Sequence, residues 1–489
     1  MTQAFDRTGD RTSSRSAAHA AGEGVTARSS GRGTAQPIAG SAAAAGRGWL
    51  LFGLALGYFM VLLDTTVVSV ALPAIRADLG GGIAGLQWVV NAYTIVFAGL
   101  LLSMGALADR FGAKRLYLLG LAAFLAASAA SAAAPTLGAL IGLRALLGAG
   151  GATLLPASLA LIAQAYPDPA SRARALGIWA AITGGAMAAG PVVGGVLVDT
   201  LGWHSIFLLN VPLSALSLVL TARFIGETPK RAGRGLDPVG QLSAILAIAA
   251  LSFALMEGES LGWASAPIAG ALAVALFAAL VFIAAQAKGR SPMLPLGLFR
   301  IRTVSAGMLG GMIINAGLSG VLFVLPLFFQ QVRGWSAHET GLALLPLTLP
   351  TAFNPIFTGR LVARVGARIP MTAGFALAAA GVWVQSAATN LTSYGVSLVA
   401  LLLIGFGVSL TIPALVAAVM SAVPREQTGA ASGALNASRQ LGATLGVAVL
   451  GAILAGSGSL LAGVHTVLYA CGAVLLGGSV LSLAAMGKR

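Results

Sequence analysis

A carboxylate and a guanidinium lie deep inside two long apolar runs of this sequence. Asp64 is the acid placed furthest from the ends of its run, and Arg144 is the base at a similar depth. If each run is a helix, both lie roughly 20 Å from the same edge of a ~30 Å hydrocarbon layer. A charge there costs several kcal/mol unless it is paired, hydrated or protonated, so both are functional candidates. They predict either a fixed structural ion pair or a carboxylate that exchanges a proton as Arg144 and water approach and withdraw.

A short charged stretch, residues 105–115, separates two other apolar runs. Its candidate gating residues are Gly105, Asp109, Arg110, Gly112, Lys114 and Arg115. The glycines permit a tight turn, and the charges can form bridges in one conformation that break in another. The alternative is charge that serves only to orient the chain in the membrane. Because the glycine spacing recurs at residues 359–366, we favour a gate.

A glycine-rich stretch follows at residues 184–195. Gly190 and Gly194 give a helix a face of small residues, with Gly195 beside them. Pro191 removes a backbone hydrogen bond and allows a bend. The pattern fits either close helix packing or a specific hinge or seal, and the residue types alone leave both open.

Several polar or aromatic residues interrupt the apolar runs and are candidates for a substrate cavity. They are Trp88, Asn91, Asn315, Asn354, Asn436 and Gln440. Asn436 and Gln440 share one helical face with Arg439. Each residue alone could instead make a hydrogen bond between helices. Asp199, Glu257 and Glu259 are expected at solvated helix ends.

The composition identifies the medium in which these residues act. Of 489 residues, 57% are hydrophobic and 9% are charged, against roughly 25% charged in an ordinary soluble domain. So few charges could not cover the surface of a soluble globule of this size. The net charge of +15 is scattered in short clusters, which argues against a nucleic-acid partner. Cys471 is the one cysteine and the four histidines are widely spaced, so we expect neither a disulfide nor a metal site.

The apolar runs number about fourteen, each close to the ~20 residues that span a bilayer. Residues 1–47 are rich in Ser, Ala, Gly and Arg and are expected to be a disordered cytoplasmic tail. Lys and Arg other than Arg76, Arg333 and the intramembrane Arg144 then fall on the cytoplasmic side, with Arg439 counted among the inner loops. This asymmetry predicts a multi-pass plasma-membrane protein with both termini in the cytoplasm.

The chain also repeats itself. The stretch beginning at Gly105 returns at Gly359, and Leu72-Pro73 returns as Leu325-Pro326. Two six-helix bundles in the same orientation, with two helices inserted between them, explain the spacing. The predicted domains are a tail at 1–47, a first bundle at 48–223, inserted helices with linkers at 224–302, and a second bundle at 303–489.

These stretches resemble the fourteen-span drug:proton antiporters of the major facilitator superfamily, from about residue 50 to 486. Residues 63–73 are similar to the first-span signature, 105–115 to the loop signature, Arg144 with Gly148 to the fourth-span motif, and 190–195 to the antiporter motif. Residues 254–263 are similar to bacterial methylenomycin-resistance exporters.

The resemblance implies an all-α major facilitator fold and a role for each motif. Asp64 and Arg144 would take part in proton coupling, and Asp109 and Arg115 in gating. Gly190 and Pro191 would help seal the antiporter. The sequence departs from the family pattern at three positions, Ser69, Ala186 and His204, which leaves the substrate undefined.

The predicted function is proton-coupled efflux of hydrophobic small molecules, such as antibiotics, by a monomer that uses the proton gradient and no cofactor. A symporter that imports a metabolite is the alternative. The sequence has no HExxH motif, no pair of intramembrane aspartates and no Ser-His arrangement, so we expect no enzyme activity. It also lacks a GxxxxGK[ST] motif, which argues against ATP as the energy source.

Overall fold

Helices account for almost all of the computed structural model, which describes residues 38–226, 237–289, 292–424 and 427–486. The predicted tail lies outside the described residues up to position 37. The fold presented below is that of the unit formed by residues 45–489.

The helices follow one another in three groups. The first group is α1 Ile38–Leu79, α2 Ile83–Phe111, α3 Ala113–Ser131, α4 Leu137–Ala165, α5 Pro169–Leu201 and α6 His204–Phe224. Two helices come next, α7 Pro238–Leu261 and α8 Ala266–Lys288. The last group is α9 Arg302–Leu327, α10 Ala337–Ala343, α11 Leu345–Val365, α12 Arg368–Ser386, α13 Tyr394–Ser421, α14 Thr428–Ala455 and α15 Leu460–Ala485.

Thirteen helices in the described ranges are long and apolar enough to cross a bilayer. The short α10 and the adjoining α11 are bent by 41° at their junction and together make one further span. Pro346 lies in the first turn of α11, where its missing N–H allows the break. The predicted all-α membrane fold with fourteen spans is confirmed.

Two of the helices begin with the same local signal. Asp168 precedes Pro169 at the start of α5, and its carboxylate accepts a hydrogen bond from the Ser171 backbone nitrogen at 2.8 Å. Asp237 precedes Pro238 at the start of α7 in the same way. An acid caps the free N–H groups of the first turn, and proline is preset for the first helical position.

Successive spans run in opposite directions and define two faces. We call the side on which α2 and α4 end and α5 begins the tail face, and the opposite side the far face. Helix α6 ends at Phe224 and helix α9 begins at Arg302, each within one residue of a domain limit predicted from the repeat. Those domain limits stay predictions.

The internal repeat is visible in equivalent helix contacts. In the first bundle α3 packs against α4, and in the second α12 packs against α13. A Cβ added to Gly150 of α4 would lie 2.9 Å from the Gly120 oxygen, and one on Gly407 of α13 would lie 2.6 Å from the Gly374 oxygen. Matched glycines therefore bring matched helices together.

The two bundles meet along two equivalent seams. In one seam α2 packs against α14, and in the other α5 packs against α10 and α11. The inserted helix α7 contacts both α2 and α14, and α8 packs against α7.

Candidate functional site

The carboxylate of Asp64 in α1 and the guanidinium of Arg144 in α4 form a buried ion pair. Both side chains are 1% exposed. One terminal nitrogen of Arg144 donates to Oδ2 of Asp64, and its Nε donates to the Val89 backbone oxygen in α2 at 2.9 Å. The two residues predicted for proton coupling are thus brought together inside the first bundle.

A third polar residue, Asn210 of α6, completes the surroundings of the carboxylate. Its Nδ2 donates to Oδ1 of Asp64 at 3.3 Å and to Oγ of Ser128 at 3.1 Å. Asn210 was not among the site residues predicted from the sequence. An asparagine within the sixth apolar run is the signal that could have found it, since such residues usually pair inside the bundle.

Tyr93 of α2 separates this pair from the space between the bundles. The Cζ atom of Arg144 lies 4.6 Å from the centre of the Tyr93 ring, a cation–π geometry. The Tyr93 hydroxyl donates to the Val61 backbone oxygen at 3.4 Å, which ties α2 to α1. Tyr93 also lines the central cavity. A change at the ion pair can therefore be transmitted to the cavity through one side chain.

The central cavity lies between the two bundles. Helices α1, α2, α4 and α5 line it on one side, and α9 and α14 line it on the other. Much of its wall is apolar, including Leu62, Met187, Leu318, Leu322 and Phe323. A site of this kind suits hydrophobic compounds with a few polar groups.

Three of the six predicted cavity residues line this space. Asn315 of α9 and Asn436 and Gln440 of α14 are in the cavity wall. Nδ2 of Asn315 donates to the Gly311 oxygen at 3.0 Å, and Nδ2 of Asn436 donates to the Ser432 oxygen at 3.1 Å. Their role in binding a substrate stays a prediction.

The other three residues do not line this cavity and make contacts between helices, so their role in binding a substrate also stays a prediction. Asn91 donates to the Thr444 oxygen at 3.3 Å, and Asn354 donates to Oγ of Ser409 at 2.8 Å. Trp88 bonds to an acid of the inserted helix α7. Polar residues in packed membrane helices satisfy one another in this way.

That acid is Glu257, which was expected to be solvated at a helix end. Nε1 of Trp88 donates to its Oε1 atom at 3.0 Å. Asp199, assigned in the same way, accepts hydrogen bonds from the backbone nitrogens of Ala337 at 3.2 Å and His338 at 2.7 Å. Asp199 is exposed near the end of α5, as expected, and Glu257 is partly buried near the end of α7. Beyond the expectation, each acid also joins a pair of helices.

Arg439 of α14 was counted among the inner-loop charges, and the structure places it in the cavity wall. Its Nε atom is buried and has no hydrogen-bond partner. The sequence reasoning missed it as a site residue because Arg439 lies near the predicted start of its span. Helix α14 begins at Thr428, further from Arg439 than expected, and this carries Arg439 deeper.

The glycine-rich stretch of α5 forms a close contact with both bundles. A Cβ on Gly190 would collide with Thr66 of α1, and one on Gly194 would lie 3.1 Å from the Val67 oxygen. On another side of the helix, a Cβ on Gly195 would collide with the Ala337 oxygen of α10. Gly341 of α10 approaches the Pro191 oxygen equally closely.

Hydrogen bonds between the bundles reinforce this contact toward the far face. Gln87 of α2 donates to the backbone oxygens of Val447 at 2.8 Å and Ala448 at 2.9 Å in α14. Gln330 donates to the Val70 oxygen of α1 at 2.9 Å. With the two bonds of Asp199, these contacts close the far face.

The same helices part toward the tail face. A Cβ on Gly184 of α5 would lie 3.9 Å from Cα of Ala352 in α11. Seven residues nearer the tail face on each helix, and so on almost the same helical side, are Gly177 and Gly359. A Cβ on either would meet nothing within 4 Å. The seam between α5 and α11 is therefore in contact at Gly184 and has open space beside Gly177 and Gly359.

The candidate gating residues lie at the tail face, where α2 ends and α3 begins. Gly112 has a φ of +97°, which favours glycine and allows the sharp turn. Nζ of Lys114 donates to the Ile225 oxygen at 2.5 Å and the Ala222 oxygen at 3.3 Å, at the end of α6. Asp109 and Arg110 are exposed, and Arg110 lies 5.5 Å from the Phe111 ring centre.

These contacts stay within the first bundle. No hydrogen bond or ion pair joins Asp109 to the residues that the structure describes. A Cβ on Gly105 would meet nothing within 4 Å. The predicted gating role of this loop stays a prediction.

A larger cavity opens within the second bundle at the tail face. It is lined by parts of α9, α11, α12, α13 and α15, including Arg368 and Met486. It is bounded by one bundle and contains neither residue of the buried ion pair. Of these two cavities, the one between the bundles is the better candidate for a transport site, because it is bounded by both halves.

Comparison with known proteins identifies the family. Residues 54–447 match the family model of the Major Facilitator Superfamily. The chain belongs to this superfamily. It is 39% identical over 430 residues to a methylenomycin A resistance protein of Streptomyces coelicolor, covering 88% of this chain and 90% of that protein.

Two further comparisons extend the likeness. The chain is 38% identical over 405 residues to the multidrug resistance protein Stp of Mycobacterium tuberculosis, covering 83% and 75% of the two chains. It shares its fold with a POT family transporter solved with a thioalcohol-conjugated peptide, at a TM-score of 0.69 and 14% identity over 90% of this chain and 95% of that one. The resemblance to methylenomycin-resistance exporters found in the sequence is confirmed.

Proposed function

We propose that this chain exports hydrophobic small molecules, of the kind represented by antibiotics and other drugs, in exchange for protons. It works by alternating access in the plasma membrane, as a monomer with both termini in the cytoplasm. The proton gradient supplies the energy, and no other cofactor takes part.

The observation that carries this proposal is the position of the Asp64–Arg144 pair behind Tyr93. A carboxylate buried in a membrane helix is stable when charged only beside its partner, and protonation releases that partner. The Tyr93 ring contacts Arg144 and also faces the cavity. Occupancy of the cavity and protonation of Asp64 can therefore influence each other.

The closed far face is one of the two conformations that alternating access requires. Positive charges concentrate at the tail face, which makes it cytoplasmic by the positive-inside rule. The contacts of α5 with α10 and of α2 with α14 then close the outer side, and the cavity takes its substrate from the cytoplasm or the inner leaflet. Rocking of the bundles would exchange the open and closed faces.

The relatives support the class of substrate. The Streptomyces coelicolor protein is a methylenomycin A resistance protein, and Stp is a multidrug resistance protein. In a membrane transporter, resistance is explained by export of the compound rather than by uptake of a metabolite.

The test is compound-induced proton movement in inverted membrane vesicles, with wild type compared with Asp64→Asn at equal expression. Antibiotics and hydrophobic dyes are added to vesicles that hold a preformed proton gradient. Wild type should release protons on addition of a transported compound, and the variant should not. Retained proton release in Asp64→Asn would remove Asp64 from the coupling step, and uptake of metabolites into whole cells would favour the symporter.

A further inference from the structure

Arg439 is the charged member of the described cavity wall. The other residues that line the central cavity are apolar, aromatic, hydroxyl or amide side chains. Arg439 lies eleven residues after Thr428, or roughly 16 Å from the start of α14. Gly311 of α9 makes room for its stem, since a Cβ there would lie 3.0 Å from Cγ of Arg439.

This arginine lacks the partner that Arg144 has. The ion pairs found in the described part of the chain join Arg144 to Asp64 and His204 to Asp78, and neither involves Arg439. Its Nε is buried without a hydrogen-bond partner. An arginine left unpaired at this depth is costly, which indicates that its counter-ion comes from outside the protein.

The residues around Arg439 indicate the chemistry of the molecule that carries this counter-ion. Asn436 and Gln440 flank it on α14, and Tyr58 of α1 is its electrostatic neighbour across the cavity. The Tyr58 ring stacks on Trp179 of α5, with ring centres 5.1 Å apart and planes 12° apart. The site therefore offers a cation with amide groups at one point and aromatic and aliphatic walls around it.

We propose that Arg439 binds the anionic group of the exported compound, and that the preferred substrates are hydrophobic carboxylic acids in their ionised form. This inference rests on the proposed export function and adds the charge class of its substrate. A guanidinium pairs with a carboxylate through two parallel hydrogen bonds. A hydrophobic cation has no corresponding carboxylate partner in the described cavity wall, because the Asp64 carboxylate is already bound by Arg144 and Asn210.

The test uses three naphthalene probes that differ in charge: 2-naphthoate, its methyl ester, and (naphthalen-2-ylmethyl)trimethylammonium. Wild type, Arg439→Gln, Arg439→Lys and Arg300→Gln are purified, checked for a monodisperse folded state, and placed in lipid nanodiscs for equilibrium binding. Arg300 is an exposed arginine at the tail face and serves as the matched control.

Wild type and Arg300→Gln should bind naphthoate more tightly than the ester or the ammonium compound. Arg439→Gln should weaken naphthoate binding about thirtyfold or more, because a buried charge pair is lost. Its ester binding should stay unchanged, which excludes a folding defect. Arg439→Lys should recover part of the loss, since it keeps the charge without the two-pronged geometry.

Three results would overturn the inference: naphthoate binding in Arg439→Gln as tight as in wild type, a wild-type preference for the ester or the ammonium compound, or no saturable naphthoate binding at all. Proton release in vesicles separates this failure from failure of the export proposal. If hydrophobic compounds drive Asp64-dependent proton release regardless of Arg439, only the charge preference is wrong. If naphthoate binding depends on Arg439 but no compound moves protons, the anion site stands and the export proposal fails.

Discussion

The guanidinium of Arg144 lies 4.6 Å from the centre of the Tyr93 ring, and the same ring faces the cavity between the bundles. The ion pair lies inside the first bundle, whereas the cavity belongs to both. Tyr93 therefore connects the protonation site inside one bundle to the cavity between the two bundles. Coupling between two sites needs a physical element that both of them bias, and Tyr93 has the position for it.

Replacement of Asp64 by asparagine should separate transport from the proton gradient. The amide imitates the protonated acid, so the protein can still bind compound and move between its two faces. We expect gradient-driven export to be lost while exchange of labelled for unlabelled compound across proteoliposomes continues. Both rates are measured on the same reconstituted sample.

The matched control is Asp168→Asn. Asp168 caps the start of α5 with one hydrogen bond to Ser171, and asparagine caps a helix equally well. Both activities should survive in this variant. If Asp64→Asn loses exchange together with gradient-driven export, Asp64 has a structural or binding role beyond coupling.

Substitutions of Tyr93 should distinguish its ring from its hydroxyl group. Tyr93→Phe keeps the cation–π contact with Arg144 and loses the 3.4 Å hydrogen bond to Val61, so its transport should stay near wild type. Tyr93→Leu loses the contact with the guanidinium, which is worth about 0.5–2 kcal/mol, and also changes the cavity wall. It should transport fewer compound molecules per proton, as measured by simultaneous compound and proton flux. Equal flux ratios in the two variants would remove Tyr93 from the coupling.

Valine at Gly195 should hold the far face apart. Its side chain would collide with the Ala337 backbone of α10, whereas a Cβ on Gly177 of the same helix would meet nothing within 4 Å. We therefore expect Gly195→Val to abolish transport and Gly177→Val to preserve it. The Gly177 variant controls for the effect of a branched residue on helix α5.

Spin labels can show whether Gly195→Val acts through far-face closure. Cysteines at Leu201 and Leu391, both exposed at the far face on different bundles, accept the labels in a Cys471→Ala background. The distance between them should increase in Gly195→Val and not in Gly177→Val. An unchanged distance with lost transport would mean that the valine disrupts the site by another route.

The sequence was most informative where one residue type at one depth has few physical alternatives. A carboxylate and a guanidinium at equal depth in apolar helices are costly apart, so Asp64 and Arg144 could be predicted as a pair. The span count followed similarly from run lengths and from the distribution of Lys and Arg.

Residues whose role depends on which helix faces which could not be assigned in this way. Asn91 and Asn315 are both buried asparagines in apolar runs, yet Asn91 bonds to α14 outside the cavity wall and Asn315 faces the cavity. Arg439 was misplaced because α14 begins at Thr428, eleven residues or about three turns before it, and this extra helix carries the side chain from a loop into the membrane. Helix ends and helix pairing depend on tertiary contacts, and a single sequence does not contain them.

The gating role of the tail-face loop can be tested by comparing Asp109 with Lys114. Lys114 donates to the last carbonyl oxygens of α6, so Lys114→Gln should lower the free energy of unfolding by about 1–2 kcal/mol. Asp109 is exposed and makes no ion pair with the described residues, so Asp109→Asn should leave the thermal stability of this conformation unchanged. If its carboxylate forms a bridge when the tail face closes, the same variant should slow turnover several-fold. Thermal unfolding in detergent and transport in proteoliposomes give the two readings. If Asp109→Asn turns over at the wild-type rate, Asp109 has no gating role, and the charges of the loop serve only to orient the chain in the membrane.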